Sequence, residues 1–444
     1  MDKNFPSPEE LQREFEGLLR QRFGANVQVF AQQLNPTPEP EDAPMLAEPS
    51  TDSGFRFSLK PKDVKAHLDR FVIAQDEAKK ALAIAVCDHY NHVSMALDGR
   101  ADALEYTKQN VLILGPTGVG KTYLLRKIAD LIGVPFVKAD ATRFSETGYV
   151  GANADDLIRD LVSQAGGDVQ KAQYGIVYLD EADKLAGPGG QAGRDVNGRG
   201  VQFGLLKLME ETDVDLAGSH DMPSQIKALM DFQKKGRVEK QVVNTRHILF
   251  IVSGAFTGLS DLVKKRMKTG GIGFHGRAAA VDGDETALLQ CAETPDFIQY
   301  GFEPEFIGRL PVRVVCHHLS SDHLFHIMKH SEGSIIRQYQ AAFQAYNIRA
   351  QFADSALTAI ADLARKEMTG ARALMTVCER TFRDFKYELP SSNVSKLLVT
   401  GAVVSDPAKA LLELLASSAN SAVNPARGQD FSRVETGSVL DVSP

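Results

Sequence analysis

The stretch "NVLILGPTGVGKT", residues 110–122, decides the fold. Its first half is short, apolar and partly β-branched, which suits a strand buried on both faces. Its second half is a glycine-rich loop, and a helical run follows it. Strand, glycine loop and helix in that order make a P-loop. Gly115, Pro116, Thr117, Gly118, Val119 and Gly120 can bring backbone amides around phosphate oxygens, and the positive end of the helix adds favourable potential. Lys121 is placed to reach terminal phosphates. Thr122, beside Tyr123, is placed to hold Mg2+ through its hydroxyl.

Outward from this stretch, further strand-like runs alternate with helical ones. "PFVKAD" (135–140), "GIVYLDEAD" (175–183), "HILFIVSG" (247–254) and "VRVVC" (312–316) are the other candidate strands. Helical segments between short apolar strands imply parallel crossovers and a three-layer α/β domain. After residue 319 strands mostly stop and amphipathic helices take over. The expected organisation is an N-terminal helix and acidic, proline-rich linker over 1–60, a large α/β domain over 61–318, a small mainly helical domain over 319–405 and a partly disordered tail over 406–444. Disorder is expected from about residue 416.

"GIVYLDEAD" supplies the second half of an ATP-hydrolysing site. Asp180 stands at a strand end, where it can bind Mg2+ through water. Glu181 stands where it can orient and deprotonate an attacking water, a role worth roughly 10²–10⁴ in rate. Two solvated acids capping a strand is the alternative, weakened by the P-loop upstream. Ser253 ends another strand, where a polar residue could read the γ-phosphate. An ordinary strand-end serine reads nearly as well. "SETGYVGANADD" (145–156) places Tyr149 and Val150 between Gly148 and Gly151, ahead of a helix start at Asn153 with Asp155 and Asp156 in its first turn.

The totals narrow the classes. The chain has 444 residues, 43% of them apolar, and a net charge of −7. That is enough for two or three domains with a substantial core. The acidic balance disfavours a nucleic-acid binder that relies on bulk positive charge. The apolar runs are too short to span a bilayer, and the first residues lack a signal-peptide core. The four cysteines, Cys87, Cys291, Cys316 and Cys378, form no Cys-x-x-Cys pair. A cytoplasmic protein without zinc, membrane or nucleic-acid partners is expected.

Taken together, the motifs resemble those of the AAA+ protein unfoldases and, within them, the ClpX family. "RFVIAQDEAKKALAIAVCDHYNH", "GPTGVGKT", "GYVG", "GIVYLDEADK", "FEPEFIGRLPV" and "TGARALMTVCER" follow in family order over about residues 60–400. The HslU family shares several of them. It carries a large insertion after the pore loop, whereas here about twenty residues separate "DDLIRDL" from "GIVYLD". The resemblance implies an ATP-driven homo-hexameric ring that unfolds protein substrates and threads them into a ClpP-type peptidase. It implies that Arg309 reaches the neighbouring subunit's nucleotide and that Arg372 senses nucleotide from the small domain. It implies that Phe71, Val72 and Ile73 contact adenine. Gly148, Tyr149, Val150 and Gly151 would form a pore loop that grips a passing chain. Ile272, Gly273 and Phe274 would dock the peptidase.

Several features depart from the family pattern. The family's N-terminal zinc module is not expected here, since no cysteine precedes Cys87. Ala74 stands where glycine is usual, and Arg199 where an acid is usual. The loop before "NTRHILF" carries a helix-like "SQIKALMDFQKK" and the acid Glu239. Two further readings stand beside the peptidase-coupled unfoldase. One is a remodelling chaperone without the peptidase. The other, disfavoured by charge and by Tyr149, is a DNA-associated motor.

Overall fold

A computed structural model describes residues 55–99, 106–144, 153–187, 196–216, 241–269 and 284–423. The described residues belong to one compact unit, Ser53–Pro444. Its strands are β1 (Val111–Leu114), β2 (Phe136–Asp140), β3 (Ile176–Asp180), β4 (Asp213–Asp215), β5 (Val242–Asn244), β6 (Leu249–Gly254), β7 (Val312–Val315), β8 (Arg349–Phe352) and β9 (Lys396–Val399). Five of them form a parallel sheet in the order β2-β3-β6-β1-β7. This is the α/β architecture expected of the P-loop segment.

The sheet is apolar on both faces because alternate residues of each strand point to opposite sides. Leu112, Leu114, Val177, Leu179, Phe250 and Val252 enter one core. Val111, Ile113, Ile176, Tyr178, Leu249 and Ile251 enter the other. Parallel strands covered on both faces therefore read as continuous apolar runs. The second core starts earlier than residue 61, since Phe55, Phe57 and Leu59 pack against it. β4 and β5 form a separate antiparallel pair.

A third core gathers residues from Leu324 to Leu411. The long amphipathic stretch after residue 320 breaks into helices Ser321–His330 and Ile335–Gln344. Ser320 caps the first by accepting a hydrogen bond from His323 N, and Ser334 caps the second. This core also contains a parallel strand pair, β8 with β9, within a segment that reads as mainly helical. Its last element corrects the expected tail: Pro407–Val423 is a helix. Leu411 is buried in this core, with Ala410, Leu414 and Leu415 packed on it. The start signal was present, because Asp406 accepts from Lys409 N and Pro407 suits the first helical turn. Among the described residues no helix is long and apolar enough to cross a membrane.

Candidate functional site

In open parallel sheets, ligands bind beyond the carboxyl ends of the strands. Those ends of β1, β3 and β6 carry Gly115, Asp180 and Gly254. They border a cavity of about 540 Å3 lined by Thr117, Gly118, Gly120, Lys121, Thr122, Tyr123, Asp180, Glu181, Asp183, Lys184, Gly254, Ala255, Thr257, Ala371 and Arg372. The cavity is thus shared between the α/β layers and the helix Arg372–Glu388 of the third core. The contact between them is backbone on backbone. Ala371 N donates to Gly118 O at 2.8 Å. A Cβ on Gly118, whose φ is +76°, would collide with the carbonyl of Thr369. Glycine is required here for the left-handed backbone and for the close approach.

Lys121 opens the helix Lys121–Ile132 and is nearly buried. Its ammonium donates to the loop carbonyls of Gly115 at 2.5 Å and Pro116 at 3.0 Å. Burial pushes its pKa down, opposed by the charges of Asp180 and Asp183. Of the remaining loop residues, Gly115, Pro116 and Val119 do not line the cavity. The first two present their carbonyls to Lys121 and Val119 is core.

Asp180 is fixed from several sides. Oδ1 accepts from Ser253 Oγ at 2.8 Å and from Glu181 N at 3.1 Å. Oδ2 pairs with Lys138 Nζ at 2.9 Å. Burial would raise its pKa. The hydrogen bonds from Lys138 and Ser253, with the charge of Lys138, outweigh that and hold it below the usual carboxylate range. Asp180 is therefore an anion at neutral pH. Glu181 follows with φ +56°, a left-handed conformation that is strained for a side chain of its size, and its exposed carboxyl lines the cavity.

The structure places Ser253, the candidate γ-phosphate reader, behind Asp180. Its side chain is fully buried and absent from the cavity wall. Its one proton goes to Asp180, and its oxygen lies 2.8 Å from the Tyr178 hydroxyl. Its contact in this structure is with the Asp180 carboxylate. Tyr178 and Lys138 were not singled out from sequence. Tyr178 was findable, two residues before Asp180 on the same strand face, whereas Lys138 is its register partner on β2 and only the sheet brings it there. Burial drives the Tyr178 phenol far above its ordinary pKa, so it stays protonated.

The apolar segment around Val72 and Ile73 lies beside that cavity wall rather than in it. Neither lines the cavity, and Val72 is buried in the second core. The segment is tied to the third core instead. Ser331 Oγ donates to Phe71 O at 2.7 Å, Glu332 N donates to Arg70 O at 3.1 Å, and the Arg70 guanidinium pairs with Glu332 at 2.7 Å. Ala74 and Gln75 are both left-handed, at φ +61° and +63°. Gln75 holds this conformation by exchanging two 2.8 Å hydrogen bonds with the backbone of His317.

Arg309 stands at the other end of the sheet. It caps the short helix Pro304–Gly308, and its carbonyl accepts from Asn110 Nδ2, just before β1. Its guanidinium pairs with Glu210 at 2.6 Å, half exposed and outside the cavity wall. Four residues of strand at about 3.3 Å each separate it from the P-loop end of β1. Arg199 pairs at 2.6 Å with Glu303, which caps the helix leading to Arg309. Gly148, Tyr149, Val150 and Gly151 lie outside the described residues, as do Ile272, Gly273, Phe274, the expected helices over 7–23 and 224–235, and the acidic linker.

The AAA domain (Cdc48 subfamily) family model matches residues 106–313. Proteins named ATP-dependent Clp protease ATP-binding subunit ClpX are similar over most of the chain. Those of Borrelia duttonii (strain Ly) and Borrelia recurrentis (strain A1) are each 38% identical over 388 residues, covering 83% of this chain and 87% of theirs. That of Azotobacter vinelandii is 40% identical over 339 residues, covering 74% of each chain. With a P-loop, an acidic strand end and Arg372 around one cavity, the chain belongs to the ClpX family and is an AAA ATPase.

Proposed function

We propose that this ATPase works as a cytoplasmic homo-hexameric ring that unfolds proteins, threads them through its axis and delivers them to a ClpP-type peptidase. The carrying observation is that Lys121, Thr122, Asp180, Glu181 and Arg372 line one cavity while Arg309 lies outside it at the opposite end of the sheet. A site complete except for a remote arginine suits a machine whose subunits finish each other's sites.

In this reading the loop amides and Lys121 hold the phosphates of ATP. Thr122 and Asp180 offer only oxygen donors, a set that fits Mg2+, and a lysine ammonium lies against both. Bound there, Mg2+ supplies positive charge against the phosphates. Glu181 takes a proton from the water that attacks the γ-phosphate, giving ADP and phosphate. Ser253 and Tyr178 keep Asp180 aimed at the cavity. Arg372 reports the nucleotide to the small helical domain, 319–405, whose backbone already grips Gly118. Arg309 offsets charge on the transferring group of the next subunit. Tyr149 and Val150 pull the client, and Ile272, Gly273 and Phe274 dock the peptidase.

The test uses an inactive ClpP-type peptidase as a trap in cells. Wild-type ATPase is expected to load it with client proteins. Tyr149→Ala is expected to keep ATP turnover and lose loading. Full loading by Tyr149→Ala refutes the pore-loop role. Empty traps, with unfolding intact in purified protein, refute the peptidase partnership and leave a remodelling chaperone.

A further inference from the structure

Lys138 is a side chain at the phosphate end of the sheet that neither the P-loop nor the acidic strand accounts for. It lies on the edge strand β2, opposite Tyr178, with about a third of its side chain exposed. Its ammonium sits between the two oxygens assigned to the metal, 2.9 Å from Asp180 Oδ2 and 3.4 Å from Thr122 Oγ1. It also lies 5.8 Å from the centre of the Tyr178 ring. The other oxygen of Asp180 is already taken by Ser253 and by the Glu181 amide. The carboxylate is therefore satisfied on both oxygens without any metal.

A half-buried carboxylate left without a cation would carry a desolvation cost. Lys138 removes that cost, and it also competes with any cation that needs the same oxygens. Lysine suits this task because its charge is compact and its stem flexible, so the ammonium can give up Oδ2 and still stay near phosphate oxygens. Nucleotide without metal then still meets a positive charge, and metal-bound nucleotide gains less than it otherwise would.

We infer that Lys138 is a positioning residue that sets the metal dependence of nucleotide binding by placing its own ammonium between Thr122 and Asp180. The inference rests on the assignment of those two residues to Mg2+. It predicts a quantity distinct from catalysis: the ratio of dissociation constants for the β,γ-imido analogue of ATP in EDTA and in Mg2+.

Calorimetric titration of the full chain measures that ratio. Lys138→Met is expected to raise it about tenfold, the size of one charge-assisted hydrogen bond. Lys138→Arg, which keeps the cation, is expected to stay within about threefold of wild type. Lys138→Gln repeats the neutral arm if the methionine variant does not fold. Asp180→Asn separates the two layers of the argument. If it leaves the wild-type ratio unchanged, the metal assignment itself is wrong. If it lowers the ratio while Lys138→Met and Lys138→Gln leave it unchanged, the metal assignment stands and the role of Lys138 is overturned. Loss of binding in both EDTA and Mg2+ for every Lys138 variant also overturns it, because the lysine would then serve the nucleotide itself.

Discussion

The two ends of the parallel sheet are built on opposite plans. At the carboxyl ends, polar side chains are fixed around an open cavity: Asp180 by Ser253, Lys138 and the Glu181 amide, and Lys121 by two loop carbonyls. At the amino ends, the interior is closed and carries buried imidazoles, with Arg309 on its outer rim. His89 is fully buried, and its Nε2 meets His247 O at 2.9 Å. Lys108 donates to Thr245 O and lies over the Phe250 ring, and burial lowers its pKa to about 7. The contrast separates two arginines that look alike as letters. Arg372 faces its own cavity, whereas Arg309 faces away from it, held by Glu210.

The largest expected effect tests that separation. Arg309→Ala should lower kcat by about 10³–10⁵ and leave nucleotide affinity unchanged. Arg372→Ala should instead weaken nucleotide binding by about tenfold, as loss of one charge-assisted contact would. Steady-state ATP turnover and calorimetry check both. Mixing Arg309→Ala subunits with Glu181→Gln subunits sharpens the point. Each parent is expected to be inactive, and the mixture to regain turnover where an intact Arg309 meets an intact Glu181 at a shared boundary. A mixture as inactive as its parents breaks the reading of Arg309 as acting on a neighbour.

A smaller effect belongs to the closed end. Burial holds His89 down to about 3 and His247 down to about 4. In the unfolded chain both titrate near 6.5, so between 6.5 and those values the unfolded state binds protons that the folded state does not. The stability they contribute is complete above about pH 6.5 and is lost as pH falls toward the folded values, by about 1.4 kcal/mol per pH unit for His89 and by less for the partly exposed, solvent-screened His247. Urea unfolding from pH 7 to pH 5 measures the slope. His89→Gln, whose amide can still donate to the His247 carbonyl, should reduce it by about one proton. An unchanged slope would show that His89 does not distinguish this end of the sheet.

The smallest effect lies beside the carboxyl end of β7, where Gln75 meets His317. Ala74 adopts a left-handed backbone that costs an L-residue about 1–2 kcal/mol, and glycine gives back about 0.4–1 kcal/mol through the unfolded chain. Ala74→Gly should therefore stabilise the protein by about 0.5–1 kcal/mol in the same urea experiment. Destabilisation would mean that the Gln75–His317 exchange depends on the Ala74 side chain.

Much of this was legible in the letters, for local reasons. Five strands, the P-loop and the acids of β3 each rest on a contiguous run whose apolar pattern or glycine spacing has a single economical folding. The parallel pair β8 and β9 did not declare itself, because four-residue strands some 45 positions apart are specified by packing on helices rather than by their own pattern. Helix Pro407–Val423 was legible at its cap but obscured by the small polar residues that follow.

The sequence alone determined a P-loop ATPase and proposed which residues meet phosphate, a hard cation and a proton, because glycine, lysine, threonine and tandem acids at this spacing suit those tasks. Only the tertiary structure decided which side chains share a space. Register across β2, β3 and β6 brought Lys138, Tyr178 and Ser253 onto Asp180, packing of the third core on Gly118 put Arg372 in the cavity, and strand direction put Arg309 at the far end. Chemical type is a property of each residue, but proximity between distant ones is set by how the sheet and its helices pack, which no local stretch encodes.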